Sequence, residues 1–257
     1  MERTHFFKYT ANGNDFIIVD ESQFHWTQDE IAEICQRHFG VGADGVLVVG
    51  RSLNADATMR IFNSDGREAE MCGNGLRCLV HYLYDFVEKK DSYVIKTMND
   101  TFTVTRKNER FFIDMNVMKD VGTFDLSLFK EFPKSYFINT GVPHLCFLVE
   151  DVKKINIKDQ APFYRHHPLF PKGTNVNFIQ VMDGENQTAY VRTYERGVED
   201  ETFSCGTGVT ASAHALHSFL GWKGNIKIFN LGGEHLVELS DRVLFSGTER
   251  FVFKGEK

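Results

Sequence analysis

The chain contains 257 residues, of which 42% are hydrophobic and 25% charged, a composition typical of a globular protein that excludes a disordered or collagen-like chain. Its net charge of −6 excludes the excess of basic residues that nucleic-acid binding requires, so no nucleic-acid partner is expected. No apolar run reaches the ~20 residues that cross a bilayer, and the first residues do not resemble a secretory signal. We therefore expect a soluble, cytoplasmic protein with no membrane partner.

Hydrophobic patterning in the first half predicts six strands and two helices. Thr27 and Glu30 have the spacing of a capping box, which predicts a helix that begins there and ends at Gly40. Apolar residues at helical spacing after Cys72 predict a second helix. β-branched and alternating apolar runs predict strands at 16–19, 46–49, 58–62, 93–97, 101–105 and 111–115.

Two halves of the chain resemble each other, and this repeat predicts the domain organisation. The segment RIFNSDGREAEMCGNGLRC, which contains Cys72, matches VRTYERGVEDETFSCGTGV, which contains Cys205. Upstream, GNDFIIVD resembles GVPHLCFLVED and GVGADGVLVV resembles KGTNVNFIQV, in the same order. We predict an N-terminal α/β repeat over 1–115 and a C-terminal repeat over 116–247, joined near 116–130. Residues 248–257 are a candidate strand for completing the first repeat.

Each repeat has a cysteine directly before a Gly-x-Gly that begins a helix. The first N–H groups of a helix lack partners and carry partial positive charge, which favours a thiolate and attracts an anion. If a pseudo-two-fold axis relates the repeats, the two thiols lie on opposite sides of a cleft between them. A thiolate can then remove a proton from one face of a carbon while a thiol delivers one to the other face. No cofactor is needed for this inversion.

The motifs are similar to those of the diaminopimelate epimerases, which interconvert LL- and meso-diaminopimelate without pyridoxal phosphate. The resemblance rests on GNDFIIVD, FGVGADGVL, RIFNSDGREAEMCGNGLRC, TNVNFIQV, ETFSCGTG and LGGEHLVEL. It implies an α+β fold of two pseudo-two-fold-related α/β units, each a strongly curved, mostly antiparallel sheet around a central helix, with the active site in the cleft between them. It also implies an isomerase of lysine and peptidoglycan precursor biosynthesis that acts on a small-molecule amino acid, needs no cofactor or metal, and is compatible with a homodimer.

The same resemblance implies which residues form the site. Cys72 and Cys205 match the acid and base, which exchange roles with the direction of the reaction. Substrate binding is implied for Asn14, Asn63, Gly73, Asn74, Asn175, Glu195, Arg196, Gly206 and Thr207. Backbone N–H groups after each cysteine hold the reacting carboxylate, and Glu195 with Arg196 holds the distal amino and carboxylate groups. His144 and Glu195 match residues that assist the ionisation of the cysteines.

One departure from the family pattern concerns the substrate. Val142 stands where the family motif Gly-Asn-Pro-His has an amide side chain. A two-cysteine racemase or epimerase of another amino acid is therefore a second hypothesis. Two hypotheses from other classes are a thiol redox protein, in which the two cysteines form a regulatory disulfide, and a non-catalytic module that clamps an anion between two helix N-termini. Exchange of a substrate α-proton for deuterium separates the enzymes from both.

Overall fold

The computed structural model describes residues 3–115 and 126–257, and it divides the chain into two compact units. Unit 1 comprises Met1–Asp114 with Gly247–Lys257, and unit 2 comprises Met115–Ser246. Residues 116–125 of the predicted junction lie outside the described residues.

The two units contain the same succession of elements. Unit 1 begins with β1 (His5–Ala11), β2 (Asn14–Asp20), α1 (Gln28–Cys35), β3 (Gly45–Gly50), β4 (Ala57–Asn63), β5 (Glu68–Ala69), α2 (Gly73–Phe86), β6 (Ser92–Lys96), β7 (Thr101–Lys107) and β8 (Arg110–Asp114). Unit 2 contains β9 (Ser135–Asn139), β10 (Pro143–Leu148), α3 (Ile157–Arg165), β11 (Asn175–Asp183), β12 (Thr188–Glu195), β13 (Asp200–Thr202), α4 (Gly206–Leu220), β14 (Gly224–Asn230), β15 (Gly233–Leu239) and β16 (Val243–Ser246). The last strand, β17 (Glu249–Glu256), belongs to unit 1.

The strands of each unit also pair in the same way. In unit 1 the order is β17–β1–β2–β3–β4–β6–β7–β8, with β5 beside the end of β4. In unit 2 the order is β9–β10–β11–β12–β14–β15–β16, with β13 beside β12. The pairs β2–β3, β4–β6, β10–β11 and β12–β14 are parallel, and the other pairs named here are antiparallel. The prediction of an α+β fold with two repeated, mostly antiparallel units is therefore confirmed.

One long helix lies inside each sheet. Helix α2 contacts β1, β2, β3, β4, β8 and β17 of its own unit, and α4 contacts strands from β9 to β16 in unit 2. All residues from Gly208 to Leu216 of α4 are buried, so this helix is covered on every side. Many of them are Ala, Ser or Gly, which lets the surrounding strands approach closely. The predicted central helices are confirmed.

The first predicted helix is confirmed at its start but not at its end. Thr27 and Glu30 exchange the two hydrogen bonds of a capping box. The helix ends at Cys35, so its predicted extension to Gly40 is wrong. Gly40 instead packs against carbonyl groups of the last helical turn, where a Cβ atom would collide with the backbone. The glycine permits this close approach and does not cap the helix.

Helix α3 was missed by the sequence patterns. It contains Pro162 in its interior, which interrupts the helical pattern, although Asn156 at its N-cap is a residue type that favours a helix start. Among the described residues, no helix is both long and apolar enough to cross a membrane.

Candidate active site

Cys72 lies at the start of helix α2, in unit 1. Its backbone is extended, and its carbonyl accepts the first helical hydrogen bond from the N–H of Leu76 at 2.8 Å. Its Sγ accepts a hydrogen bond from the N–H of Gly75 at 3.5 Å. The N–H groups of Gly73 and Asn74 belong to the first turn of the helix, where no intrahelical acceptor is available. The Cys72 thiol therefore lies next to the partial positive charge of the helix N-terminus.

Two predicted substrate asparagines lie side by side next to this helix start. Asn74 Nδ2 donates to Asn14 Oδ1 at 2.6 Å, and Asn14 Nδ2 donates to Asp44 Oδ2 at 3.0 Å. Asn74 Oδ1 accepts from Arg77 Nη2 at 2.6 Å. The buried side chain of Asn74 is thus held by the protein itself, and what it presents at the helix start is its backbone N–H.

Arg77 organises this region, and the sequence patterns did not identify it. Its side chain is fully buried, although the residue lies on a helix. Its Nη1 donates to Glu249 Oε2 at 2.9 Å, and its Nη2 also donates to Asn12 Oδ1 at 2.9 Å. Burial raises the pKa of Glu249, and the charge of Arg77 partly offsets this. The network joins the first residue of β17 to the helix that begins after Cys72.

Asn63 and Glu195 occupy corresponding positions in the two units. Asn63 is the last residue of β4, is exposed, and pairs across the sheet with Gly45 at the start of β3. Glu195 is the last residue of β12, next to the strand that Asn175 begins. Burial raises the pKa of Glu195, which favours its neutral form. Unit 1 brings Asn14 and Asn74 into one network, and the side chain of Asn63 is not part of it.

Cys205 lies at the start of α4, as Cys72 does at α2. Its Sγ is 3.4 Å from Thr207 Oγ1, and Thr207 Oγ1 is 2.9 Å from His144 Nε2. Thr140 Oγ1 donates to the carbonyl of Thr207 at 2.9 Å, which fixes the first turn of the helix. A continuous series of side-chain contacts therefore links three predicted site residues of unit 2, Cys205, Thr207 and His144.

His144 is completely buried in β10. Burial lowers its pKa to about 3, and the positive charge of Arg196 contributes in the same direction. Asn177 Nδ2 lies 3.1 Å from His144 Nδ1, a contact that the sequence patterns did not predict. His144 is therefore a neutral imidazole near pH 7, and any help that it gives to a cysteine must come from hydrogen bonding and not from a positive charge.

Asn175 and Arg196 form a second, separate group in unit 2. Asn175 Oδ1 accepts from the backbone N–H of Arg196 at 2.8 Å, and its Nδ2 donates to the carbonyl of Pro143 at 2.9 Å. Arg196 Nη1 donates to the carbonyl of Lys172 at 3.1 Å. The asparagine thus holds the turn after β12, and the lysine carbonyl orients the half-exposed guanidinium.

Gly206 lies over an aromatic ring. A Cβ atom at this position would be 3.1 Å from the ring of Phe245, which is tighter than an ordinary contact. Phe245 stacks on His235 with ring centroids 5.4 Å apart, and His235 Nε2 is 3.1 Å from Ser204 Oγ. The ring stack contacts the residue before Cys205 and leaves little room for a side chain at the position after it.

The three remaining cysteines are buried. Burial raises the pKa of Cys35 to about 11 and that of Cys146 to about 12, and it raises the pKa of Cys78 well above its ordinary value. All three are thiols at neutral pH, as expected for cysteines that serve as small apolar residues. Within residues 3–115 and 126–257, no group of three His, Cys, Asp or Glu side chains could hold a metal ion.

Comparison with known proteins agrees with this arrangement. The chain is 38% identical to the diaminopimelate epimerase of Methanocella arvoryzae over an alignment of 278 positions, which covers 100% of this chain and 97% of that protein. It is 38% identical to the enzyme of the same name from Archaeoglobus fulgidus, covering 98% and 96% of the two chains. The crystal structure of a Bacillus anthracis phenazine biosynthesis protein of the PhzF family shares the fold, with a TM-score of 0.72, 18% identity, and coverage of 100% and 99%. The family model for diaminopimelate epimerase matches residues 6–121 and 136–246, and the chain therefore belongs to the diaminopimelate epimerase family.

Proposed function

We propose that this chain interconverts LL- and meso-diaminopimelate by proton transfer at the α-carbon, with Cys72 and Cys205 as the acid and base. One thiolate removes the α-proton, the C–H electron pair passes to the carboxylate as an enolate-like intermediate, and the other thiol delivers a proton to the opposite face. The single observation that carries the proposal is the equivalent position of the two cysteines, each directly before the central helix of its unit.

The intermediate places extra negative charge on the substrate carboxylate. The backbone N–H groups of Gly73 and Asn74, or of Gly206 and Thr207, are fixed donors at helix N-termini and can stabilise that charge. Because their positions are set before substrate binds, little reorganisation is needed as the charge develops. No cofactor is needed as an electron acceptor in this scheme.

At the distal end of the substrate, Arg196 is proposed to bind the second carboxylate and Glu195 the second amino group. The carbonyl of Lys172 and the amide of Asn175 already orient the arginine and its backbone. A planar guanidinium with two parallel N–H donors suits a carboxylate. This pair would distinguish diaminopimelate from an amino acid with an uncharged side chain.

The same reaction places the chain in lysine and peptidoglycan precursor biosynthesis. It requires one cysteine as a thiol and the other as a thiolate, both reduced, which fits the cytoplasm as its compartment. A homodimer is proposed as its assembly, and size-exclusion chromatography with light scattering distinguishes it from a monomer.

Incubation with LL-diaminopimelate in heavy water tests the function. We expect meso-diaminopimelate that carries deuterium at the inverted α-carbon, while the unreacted LL isomer keeps its proton early in the reaction. The asymmetry arises because one group removes the proton and a different, solvent-exchanged group delivers the deuteron. Proton NMR and mass spectrometry follow both isomers, and protein alkylated with iodoacetamide is the control. Absence of exchange with any amino acid would contradict an epimerase.

Val142 provides a prediction about substrate selectivity. We expect Val142→Asn to lower the KM for diaminopimelate by roughly ten- to hundredfold, because a hydrogen bond to a charged group contributes ~1.5–3 kcal/mol. Discrimination against amino acids without a distal carboxylate should sharpen as well. The measurement is kcat and KM for diaminopimelate and for a shorter amino acid, with Val142→Leu as a control that has the size of asparagine and no hydrogen-bond donor.

Position 142 also separates the two enzyme hypotheses. If Val142→Asn leaves KM and selectivity unchanged, this residue does not face the distal carboxylate. If the wild-type chain inverts a shorter amino acid and leaves diaminopimelate untouched, the reaction is that of a two-cysteine racemase with another substrate, which Val142 would then favour.

A further inference from the structure

The orientation of the Asn177 amide is fixed by its surroundings. Its Nδ2 lies 3.2 Å from the carbonyl of Leu145, which can only accept a hydrogen bond. Its Oδ1 lies 2.9 Å from Thr193 Oγ1, which donates to it. The NH₂ group of Asn177 therefore faces His144, and no amide flip satisfies all these neighbours at once.

This orientation determines the tautomer of His144. Because Asn177 Nδ2 is a donor, the imidazole Nδ1 at 3.1 Å must be the acceptor. A neutral imidazole carries its single proton on the other nitrogen, so Nε2–H donates to Thr207 Oγ1 at 2.9 Å. The hydroxyl of Thr207 thus receives one hydrogen bond and retains its own proton for another acceptor. Cys205 Sγ lies 3.4 Å from that oxygen.

We propose that Asn177 is a positioning residue for the epimerisation: it holds His144 as the Nε2–H tautomer, so that the hydroxyl of Thr207 donates a hydrogen bond to the thiolate of Cys205. The proposal rests on the proposed function, in which Cys205 is one of the two bases. It assigns no covalent step to Asn177 or His144. Their effect is to decide which way the hydroxyl of Thr207 points.

The other repeat gives independent support, because its residues at the positions equivalent to Asn177, Thr193 and His144 are apolar. Leu47 pairs with Ile61 across β3 and β4, whereas Asn177 pairs with Thr193 across β11 and β12. Phe16 occupies the place of His144, since each opposes the first residue of the next parallel strand.

The packing of the two central helices shows the same correspondence. A Cβ atom at Gly75 would be 3.0 Å from the Leu47 side chain, and one at Gly208 would be 2.7 Å from Asn177 Oδ1. Unit 1 therefore shows that this fold accepts an apolar residue here. A buried amide, imidazole and hydroxyl are costly unless all of them are hydrogen-bonded. The fold does not require these polar residues, so their presence in unit 2 points to a role other than packing.

The tautomer can be observed directly by ¹⁵N NMR of histidine-labelled protein without substrate. We expect the His144 signal to show a protonated Nε2 and an unprotonated Nδ1 throughout the neutral range. In Asn177→Leu, which copies the residue of the other repeat, this preference should be lost. A protonated Nδ1, or a doubly protonated ring at neutral pH, in the wild-type chain would overturn the proposal.

The effect on Cys205 can be measured from the ultraviolet absorbance of its thiolate in a Cys72→Ala background. The raised pKa values of Cys35, Cys78 and Cys146 keep those thiols silent at neutral pH. We expect Asn177→Leu and Thr207→Val each to lower the ratio of thiolate to thiol by about tenfold, the size of a lost hydrogen bond to a charged group. The double variant should be no worse than Thr207→Val alone, and Thr207→Ser should keep the wild-type ratio.

Thr193→Val is the matched structural control, because it removes the other hydrogen bond to Asn177 and leaves the contact with His144 in place. It should change stability but not the thiolate ratio. An unchanged ratio in folded Asn177→Leu, or an equal loss in Thr193→Val, would overturn the proposal. If Asn177→Leu does not fold, Thr207→Val and the wild-type tautomer decide the question. These readouts need no substrate. If the hydrogen bonds from Asn177 to Cys205 behave as expected but no α-proton exchange is seen, the proposed function is contradicted and this proposal is not.

Discussion

Alanine at either Cys72 or Cys205 is expected to abolish epimerisation while leaving the fold intact. Removal of a general acid or base reduces the rate by ~10²–10⁴-fold, and inversion through two faces has no alternative group once one thiol is gone. Both residues precede helices whose later positions form the core, so loss of a thiol at the N-terminus leaves the packing of α2 and α4 unchanged. Circular dichroism and urea unfolding verify that each variant is folded.

The two single variants should differ in the isomer whose α-proton they still exchange with solvent. Each retains one thiol, so each can exchange the α-proton only of the isomer that presents this proton to the remaining group. We expect Cys72→Ala and Cys205→Ala to act on different isomers in heavy water, without forming the inverted product. Turnover near the wild-type rate in either variant would contradict the two-base mechanism. Cys78→Ala, at a buried thiol on the same helix as Cys72, is the control, with a loss of stability only.

The sequence contains enough information for the repeated architecture because two kinds of local signal are strong in it. The capping box at Thr27 and the apolar stripe after Cys72 each specify a helix from neighbouring residues alone. The match between the segments around Cys72 and Cys205 then implies that the second half repeats the first, and the strand pairings of the two units confirm it.

The remaining features depend on contacts between distant parts of the chain. The charged side chain of Arg77 is typical of a solvent-exposed helix position, yet it is fully buried because the strands of unit 1, including the C-terminal β17, cover α2. Asn177 lies in a strand with other polar residues, such as Asn175 and Gln180, and nothing nearby in sequence shows that it contacts His144. Gly40 has the sequence position of a helix stop. It is required instead because the chain turns back against the carbonyl groups of Glu33 and Ile34, a contact that the local pattern does not reveal.

Arg77→Met is expected to destabilise the chain by about 3–5 kcal/mol, the usual effect of breaking a buried ion pair from one side. Glu249, of which only 5% of the side chain is exposed, would lose its counter-charge, and Asn12 and Asn74 would lose a donor. Such a loss is a large part of the ~5–15 kcal/mol that stabilises an ordinary domain. Activity should fall as well, since Asn74 belongs to the turn that presents backbone N–H groups next to Cys72.

The pH dependence of the lost stability distinguishes an unpaired buried carboxylate at Glu249 from a simple loss of packing. Burial already raises the pKa of Glu249, and without Arg77 it should rise further. The folded variant then binds more protons than the unfolded chain. Its stability is therefore retained below the pKa of Glu249 in the unfolded chain and is lost as pH rises through the higher pKa of Glu249 in the folded variant. We expect urea unfolding to show a smaller deficit at pH 5 than at pH 8.

Two further variants complete the test. Adding Glu249→Gln to Arg77→Met removes the carboxylate and should abolish the difference in deficit between pH 5 and pH 8. Arg60→Met breaks a half-exposed pair with Glu68, bonded through both Arg60 Nε at 2.7 Å and Nη2 at 2.9 Å. Because water screens that pair, its loss should cost only ~0–1 kcal/mol at either pH. A deficit in Arg77→Met that is equal at both pH values would mean that Arg77 stabilises unit 1 through packing and amide contacts, with Glu249 protonated in the wild-type chain.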